Sequence, residues 1–529
     1  MRNFIYCISV LFIISCTNKS NKQFDQGKRG VVSSAHPLAS EAGIKILESG
    51  GNAIDAAVAS AFVLSVVEPS MSGIGGRLQA IVKLPNGEIR GVDASTQVPE
   101  KYDSNTHPKN SYGYSTIGIP GVVAGLVKLS KEYGELPLDV VMEDAIHYAE
   151  NGYKILPGES YRQMLAKDQI EKFGGTKKYF LDEKGENFSS GDLVVQSDLA
   201  KTLKIISENG KSGFYDGEIA KNIVDDVQQN GGILTLDDLK NYEAKDSRVL
   251  SGNYRGYDVH SLFLPSYGAI TIEILNILSH FNIDELDQVE WVKMFSDVFR
   301  IAYLDRPKQK YEDSLELILS KDYAKKLFHS LKESKASKRT NAELNGEWIA
   351  DIGHTTHLSA SDKDGNVISL TQTIGPLMGS KVASDGLGFL YAVTLGGYLG
   401  DYKPGDRANS HISPTIVTKD NGFYLSLGAA GGSRIITAVT QVISNVIDKG
   451  MRLDKALQKG RVYNVNDTTE IESHDGIVWE FQKDEIPYKN RFIMKSARFG
   501  RVHAVQYDTI TNTIIGAADP DWEGSVKTF

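Results

Sequence analysis

The stretch Gly353-His354-Thr355-Thr356-His357-Leu358-Ser359 decides the reading of this chain, and Thr355 is its informative residue. A threonine hydroxyl becomes a usable nucleophile only with a base beside it. Cutting the bond between His354 and Thr355 would free an α-amino group next to the Thr355 hydroxyl. That amine titrates near neutrality and can serve as the base. Downstream, Thr356 to Ser361 alternates polar and apolar, Asp362-Lys363-Asp364-Gly365-Asn366 reads as a turn, and Val367 to Thr373 alternates again, the pattern of a β-hairpin. With Asp364 and Gly365 as the two central turn residues, Thr356 is expected opposite Thr373 and Thr355 beside it. A second hydroxyl then reaches the first.

A third element lies further on. The apolar strand Phe423-Tyr424-Leu425-Ser426-Leu427 runs into Gly428-Ala429-Ala430-Gly431-Gly432-Ser433-Arg434 and then a helical run from Ile435 to Val442. Glycines at a strand-to-helix turn leave backbone N–H groups bare at a helix N-terminus, which suits negative charge on a tetrahedral intermediate. The spacing is neither G-x-G-x-x-G nor a P-loop, which disfavours a phosphate cradle.

These residues and a series of further landmarks resemble the γ-glutamyltranspeptidases (glutathione hydrolases), a family of N-terminal nucleophile hydrolases. The landmarks run from Ser34-Ala35-His36-Pro37 and Gly50-Gly51-Asn52-Ala53, through Glu68-Pro69 and Ser72-Gly73-Ile74-Gly75-Gly76, to Gly118-Ile119-Pro120-Gly121 and Pro265-Ser266-Tyr267-Gly268. They continue with Ser413-Pro414-Thr415-Ile416 and Ala517-Ala518-Asp519-Pro520. The resemblance covers about residue 27 to the C-terminus. It implies an α+β fold, a four-layer αββα sandwich, made by self-cleavage before Thr355 into a large subunit (29–354) and a small one (355–529) that stay associated as one joint catalytic domain. It implies that Thr355 attacks a γ-glutamyl amide, that Thr373 hydrogen-bonds its hydroxyl, and that the amides of Gly431 and Gly432 hold the oxyanion. The acyl-enzyme is then released to water or to an amino-acid or peptide amine. No metal or organic cofactor is implied.

The departures from the family fall on glutamate recognition. Where the family has an arginine for the substrate α-carboxylate, in an Asp-Phe-Arg-Glu pattern, this chain reads Asp93-Ala94-Ser95-Thr96. Gly375 replaces an asparagine, and Ala392 to Gly397 replaces the segment that contacts the substrate ammonium. Of a serine pair, Ser410 remains and the second is His411. Interactions of roughly 2–5 kcal/mol each when buried are lost with such a clamp, so free γ-glutamyl compounds are expected to bind poorly. Arg77, within the altered glycine run Gly75-Gly76-Arg77-Leu78-Gln79, is the candidate replacement anion site. The short stretch from Gly397 to Ser410 leaves little room for a lid, so larger acyl donors are admitted. The alternatives are an N-acyl amide acylase with a non-glutamate donor, or a binding lipoprotein that kept the fold and lost turnover.

Length and composition fit a sizeable core: 529 residues, 41% hydrophobic, 24% charged and no low-complexity tract. A net charge of -9 argues against nucleic acid as a partner. At the N-terminus, Arg2 precedes an apolar run from Phe4 to Ile14 that is too short to span a bilayer and ends in Ile13-Ile14-Ser15-Cys16. This is similar to a bacterial lipobox. Residues 1–15 would be a removed signal, Cys16 the lipidated N-terminus, and 16–28 a polar tether on an exported, membrane-anchored protein facing the periplasm or cell exterior. The other cysteine, Cys7, falls in the signal, which excludes an internal disulfide in the mature chain. His354 and His357 lie three apart on a strand and point to opposite faces, so they do not form a metal pair. The turn at Asp362 lacks the glycine position and terminal glutamate of a calcium loop.

Overall fold

The computed structural model describes residues 22–333, 354–397, 402–465, 468–474, 476–486, 489–494 and 498–529. Cys16, Cys7 and the apolar run from Phe4 to Ile14 lie outside them. Among the described residues, no helix is long and apolar enough to cross a membrane.

Two seven-stranded sheets form the centre. The sheet that carries Thr355 has the order Ser525–Thr528, Gly30–Ser34, Thr356–Asp362, Val367–Thr373, Arg77–Lys83, Ile89–Ala94, Lys245–Ser247, with every neighbour antiparallel. The second has the order Phe24–Gly27, Thr513–Ala518, Arg501–Asp508, Gly422–Ala430, Thr415–Lys419, Tyr257–Leu262, Val249–Tyr254, again antiparallel. Strand Thr356–Asp362 packs on Gly422–Ala430 and Arg501–Asp508 of the facing sheet. Helices close both outer faces, giving the αββα sandwich.

The first helical layer owes its position to sequence. Helix Ala53–Val67 is apolar around its whole circumference and every residue of it is buried, as expected of a helix with neighbours on all sides. Its start is fixed by a capping box in which the Asn52 side chain accepts from the amides of Ile54 and Asp55, while Asp55 accepts from the Asn52 amide. Two further helices, Val122–Tyr133 and Leu138–Asn151, follow it. Later in the chain come Gly268–Leu278 and Gln288–Tyr303, the second started by a capping box at Asp287 and Glu290. The opposite layer combines these last two with Ile435–Ile447 over the second sheet.

Period-2 alternation sorts the hairpin that follows Thr355. Leu358, Ala360, Ile368 and Leu370 face the helices. Ser359, Ser369 and Ser426 face the other sheet and donate to the carbonyls of His503, Leu427 and Ile368, at 3.1, 2.8 and 3.2 Å. Short hydroxyl side chains let the two sheets approach while keeping each buried hydroxyl bonded.

The hairpin register differs by one residue from the sequence expectation. Thr356 pairs with Gln372, not Thr373, and His357 pairs with Thr371. The loop is three residues long, Lys363-Asp364-Gly365, with the Asp362 amide donating to the Asn366 carbonyl at 3.1 Å and Gly365 at φ 92°. The Asp362 carboxylate accepts from the amides of Asp364 and Asn366 and so favours this turn over a two-residue one. The one-residue change places Thr355 itself across from Thr373.

Candidate functional site

Thr355 begins the strand pair, and its hydroxyl donates to Thr373 Oγ1 at 3.1 Å. Thr373 Oγ1 in turn accepts from the Gly375 amide at 3.0 Å, which orients it. Both threonines are almost fully buried. Thr355 has φ 122°, a region that a β-branched residue rarely adopts, so the peptide next to the His354–Thr355 bond is strained. Gly76 lies close beneath: a Cβ there would come within 2.5 Å of the Thr373 carbonyl oxygen.

The next strand over continues the row. Arg77 pairs directly with Thr373, and cross-strand partners project to the same face, so Thr355, Thr373 and Arg77 stand side by side. The buried Arg77 guanidinium donates to the Val393 carbonyl and, at 3.4 Å, to that of Asn409. Ser410 and His411 follow Asn409, so the structure brings Arg77 next to the segment that carries them. Ser410 is tied through its amide to the Pro265 carbonyl at 2.9 Å. The His411 ring stacks on Tyr267 and accepts at Nδ1 from Arg306 at 2.8 Å. Burial, with the Arg306 and Arg77 charges, holds His411 neutral well below the usual histidine range.

Gly431 and Gly432 lie where strand Gly422–Ala430 turns through the short 3-10 segment Gly432–Arg434 into helix Ile435–Ile447. Both have positive φ, 150° and 59°, which glycine alone adopts without strain. The first amides of a helix have no intrahelical acceptor and are available to an anion. Two tyrosines pin the turn: Tyr303 donates to the Ser433 carbonyl at 2.8 Å and Tyr463 to the Ser433 hydroxyl at 2.7 Å. The turn follows Ala430, which pairs with Arg501, and Arg501 donates to the Thr355 carbonyl at 3.4 Å. Through Arg501 the glycine turn and the Thr355 strand meet at one end of the sandwich.

Below that end lies a buried ionic cluster that sequence reading missed. Glu68 accepts from Arg162 and Arg501, each at 3.3 Å, and Glu159 accepts from Arg162 at 2.9 Å and from the Ser70 hydroxyl at 2.6 Å. Burial raises the Glu68 pKa, and the two guanidiniums oppose that shift. Glu68 was visible only as part of a Glu-Pro landmark. Nothing in the spacing of Glu68, Arg162 and Arg501 links them, because they are far apart in the chain.

Four histidines are buried and His411 is half-buried, and all five are held neutral. Burial, as the largest cause, lowers His36, His354 and His357 to about 3, and takes His411 and His503 well below the usual range. Because unfolding raises each pKa to about 6.5, the unfolded chain binds more protons, and stability is lost as pH falls from about 6.5 toward 3. His357 is the cleanest probe, since its ring bonds only Thr371 and Ser359, at 2.8 and 3.1 Å. A His357→Gln variant is expected to lower the slope of unfolding free energy against pH in that window by about 1.4 kcal/mol per pH unit. Urea unfolding between pH 6.5 and 4.5 measures it, and an unchanged slope would mean that His357 is charged in the fold.

Comparison with known proteins fixes the family. The γ-glutamyltranspeptidase family model matches residues 39–529. The chain belongs to the γ-glutamyltranspeptidase family. It is 33% identical over 481 residues to the glutathione hydrolase proenzyme of Pseudomonas sp. strain A14, covering 84% of each chain. It is 30% identical over 522 residues to the acylase ACY 1 proenzyme of Pseudomonas sp. strain SE83, covering 93% of this chain and 92% of that one. The crystal structure of cephalosporin acylase from Bacillus halodurans superposes with a TM-score of 0.86 at 26% identity, over 98% of this chain and 99% of the other. This γ-glutamyltranspeptidase-family chain is therefore an enzyme of hydrolase and acyltransferase type, and its αββα sandwich is that of an N-terminal nucleophile hydrolase.

Proposed function

We propose that Thr355 is the nucleophile of a self-processing amide hydrolase or acyltransferase. The observation that carries this is the 3.1 Å contact between the Thr355 and Thr373 hydroxyls at a strained peptide. In the first event the Thr355 hydroxyl attacks the His354 carbonyl carbon. The C–N bond breaks, the hydroxyl proton ends on the departing nitrogen, and an ester joins His354 to Thr355 Oγ1. Water hydrolyses that ester, leaving a carboxylate on His354 and a free amine and hydroxyl on Thr355. In turnover the amine takes the hydroxyl proton while Oγ1 attacks the donor amide, and passes it to the leaving amine. Thr373 orients the hydroxyl, and the Gly431 and Gly432 amides receive the negative oxygen. The acyl group then goes to water or to an amine. Purified wild-type protein is expected to run as two chains, the smaller one sequencing from Thr355, and a folded protein that stays whole would sink this reading.

The donor is a γ-glutamyl or related amide, with an N-acyl amide as the second reading. The second is favoured by Ser95, which occupies the position of the family's clamp arginine. Ser95 is buried, its hydroxyl accepts from Gln79 at 3.2 Å and its carbonyl accepts from the Tyr242 hydroxyl at 2.7 Å. Arg77 is the nearby guanidinium in register with Thr373, and we assign it the donor carboxylate, with Ser410 and His411 lining the same end. Losing a charge-assisted hydrogen bond of roughly 1.5–3 kcal/mol weakens binding about 10- to 150-fold. Arg77→Met should thus raise KM by that factor for a carboxylate-bearing anilide and leave an uncharged N-acyl anilide unaffected. Equal losses on both substrates would assign Arg77 to holding the Val393 and Asn409 carbonyls instead. The lipobox-like segment ending at Cys16 supports an exported, lipid-anchored enzyme, which metabolic labelling with a fatty acid and Cys16→Ser would test.

A further inference from the structure

We propose that Arg501 is a positioning residue that holds the Thr355 peptide in its strained, cleavage-ready conformation, with Glu68 and Trp522 fixing the guanidinium. The inference rests on Thr355 being the point of self-cleavage. A threonine at φ 122° costs on the order of 1–3 kcal/mol and persists only where its surroundings over-determine it. Two contacts do so. On the side-chain end, Thr355 Oγ1 is bonded to Thr373; on the backbone end, the Thr355 carbonyl accepts from Arg501 Nη2 at 3.4 Å.

The Arg501 guanidinium has little freedom to turn. Nη1 donates to Glu68 at 3.3 Å, and the Trp522 ring covers its face, with the guanidinium carbon 4.3 Å from the ring centroid. The same ring carries Arg162 at 4.4 Å, and Trp522 is itself held at φ 62°. Arg501 and Glu68 are each about 2% exposed or less. Glu68 and Arg162 precede the scissile bond, whereas Arg501 and Trp522 follow it. The cluster therefore spans the cut and aligns its two sides before it is made. Arg162 and Arg501 of this cluster also place positive charge toward the His354 side chain, a field of the sign that favours negative charge developing at the neighbouring carbonyl oxygen.

A lysine keeps the charge but cannot present two fixed N–H groups to Glu68 and the Thr355 carbonyl at once. The folded Arg501→Lys precursor is expected to cleave about 100-fold more slowly than wild type, as a small misplacement of reacting atoms would produce. Arg501→Ala is expected to stay whole and to resume cleavage when guanidinium chloride is added at non-denaturing concentration. Glu68→Gln, nearly isosteric, is expected to slow cleavage about tenfold, the loss of one charge-assisted hydrogen bond. Cleavage is followed on denaturing gels, with circular dichroism and Tm measured on each precursor. A merely structural role would lower Tm without giving guanidinium rescue. If wild type cleaves and folded Arg501→Lys cleaves as fast, the positioning role is overturned while the nucleophile assignment stands. If wild type never cleaves, the nucleophile assignment itself falls. Should either Arg501 variant fail to fold, Glu68→Gln decides, and an unchanged cleavage rate there overturns the proposal.

Discussion

Thr355→Ala is expected to leave the chain as one intact precursor with no measurable turnover of any amide donor. Without Oγ1 no ester can form at His354, so the α-amine is never released. The same substitution also removes the atom that would carry the acyl group. The two losses are one chemical event seen twice, so the expected fall in turnover is on the order of 10⁴-fold or more. Thr355→Ser keeps the hydroxyl and should still cleave, more slowly, because serine lacks the methyl that limits rotation about χ1. Denaturing gels with N-terminal sequencing, together with an anilide assay, check both variants. A Thr355→Ala chain that still splits before residue 355 would move the nucleophile elsewhere.

Arg162→Met is expected to produce the largest loss of stability. Its guanidinium is shared by Glu68 and Glu159, and all three side chains are about 1–2% exposed. Removing the cation leaves Glu159 without its counter-charge and Glu68 with Arg501 alone, in a site that water does not reach. Breaking one buried pair in this way is destabilising by about 3–5 kcal/mol. Arg501 still faces Glu68, so the unpaired burden falls on Glu159, which retains the Ser70 hydroxyl and amide and the Gln163 side chain as donors. The double variant Arg162→Met with Glu159→Gln should therefore recover part of the loss, as a coupled pair does in a double-mutant cycle. Chemical denaturation of the Thr355→Ala background, where every sample is a single uncut chain, measures these differences without contributions from subunit dissociation. Equal losses in the single and double variants would place the destabilisation in the missing packing against Trp522, not in stranded charge.

Much of the site was legible along the chain because its chemistry is local. A threonine pair at the two ends of one hairpin is joined by a short turn, and alternation alone brings them to the same end of the same two strands. The glycine turn before Ile435 is likewise local, since bare amides at a helix N-terminus follow from strand, glycines and helix in succession. The register was missed by one residue because Asp364-Gly365 satisfies a two-residue turn as well as a three-residue one. What separates them is the Asp362 carboxylate folding back onto the amides of Asp364 and Asn366. Arg77 was noticed as a departure from a glycine run. Its place across from Thr373 depends on which strand lies beside the hairpin, and alternation does not say which strands become neighbours.

The sequence by itself determined α and β elements with antiparallel hairpins, and it singled out Thr355, Thr373 and the Gly431-Gly432 turn as the candidate nucleophile, hydroxyl partner and anion holder, since each lies in contiguous residues whose spacing has a direct geometric meaning; the layers entered with the family resemblance. Only the tertiary structure decided the strain at Thr355, the row from Thr355 through Thr373 to Arg77, and the cluster of Glu68, Glu159, Arg162, Arg501 and Trp522. Arg77 is remote in sequence from the Thr355–Thr373 hairpin, and Glu68, the Glu159–Arg162 pair and the Arg501–Trp522 pair come from three separate stretches of the chain that share no period. They meet because two sheets stack face to face, and a buried charge is tolerated only where such stacking delivers its counter-charge.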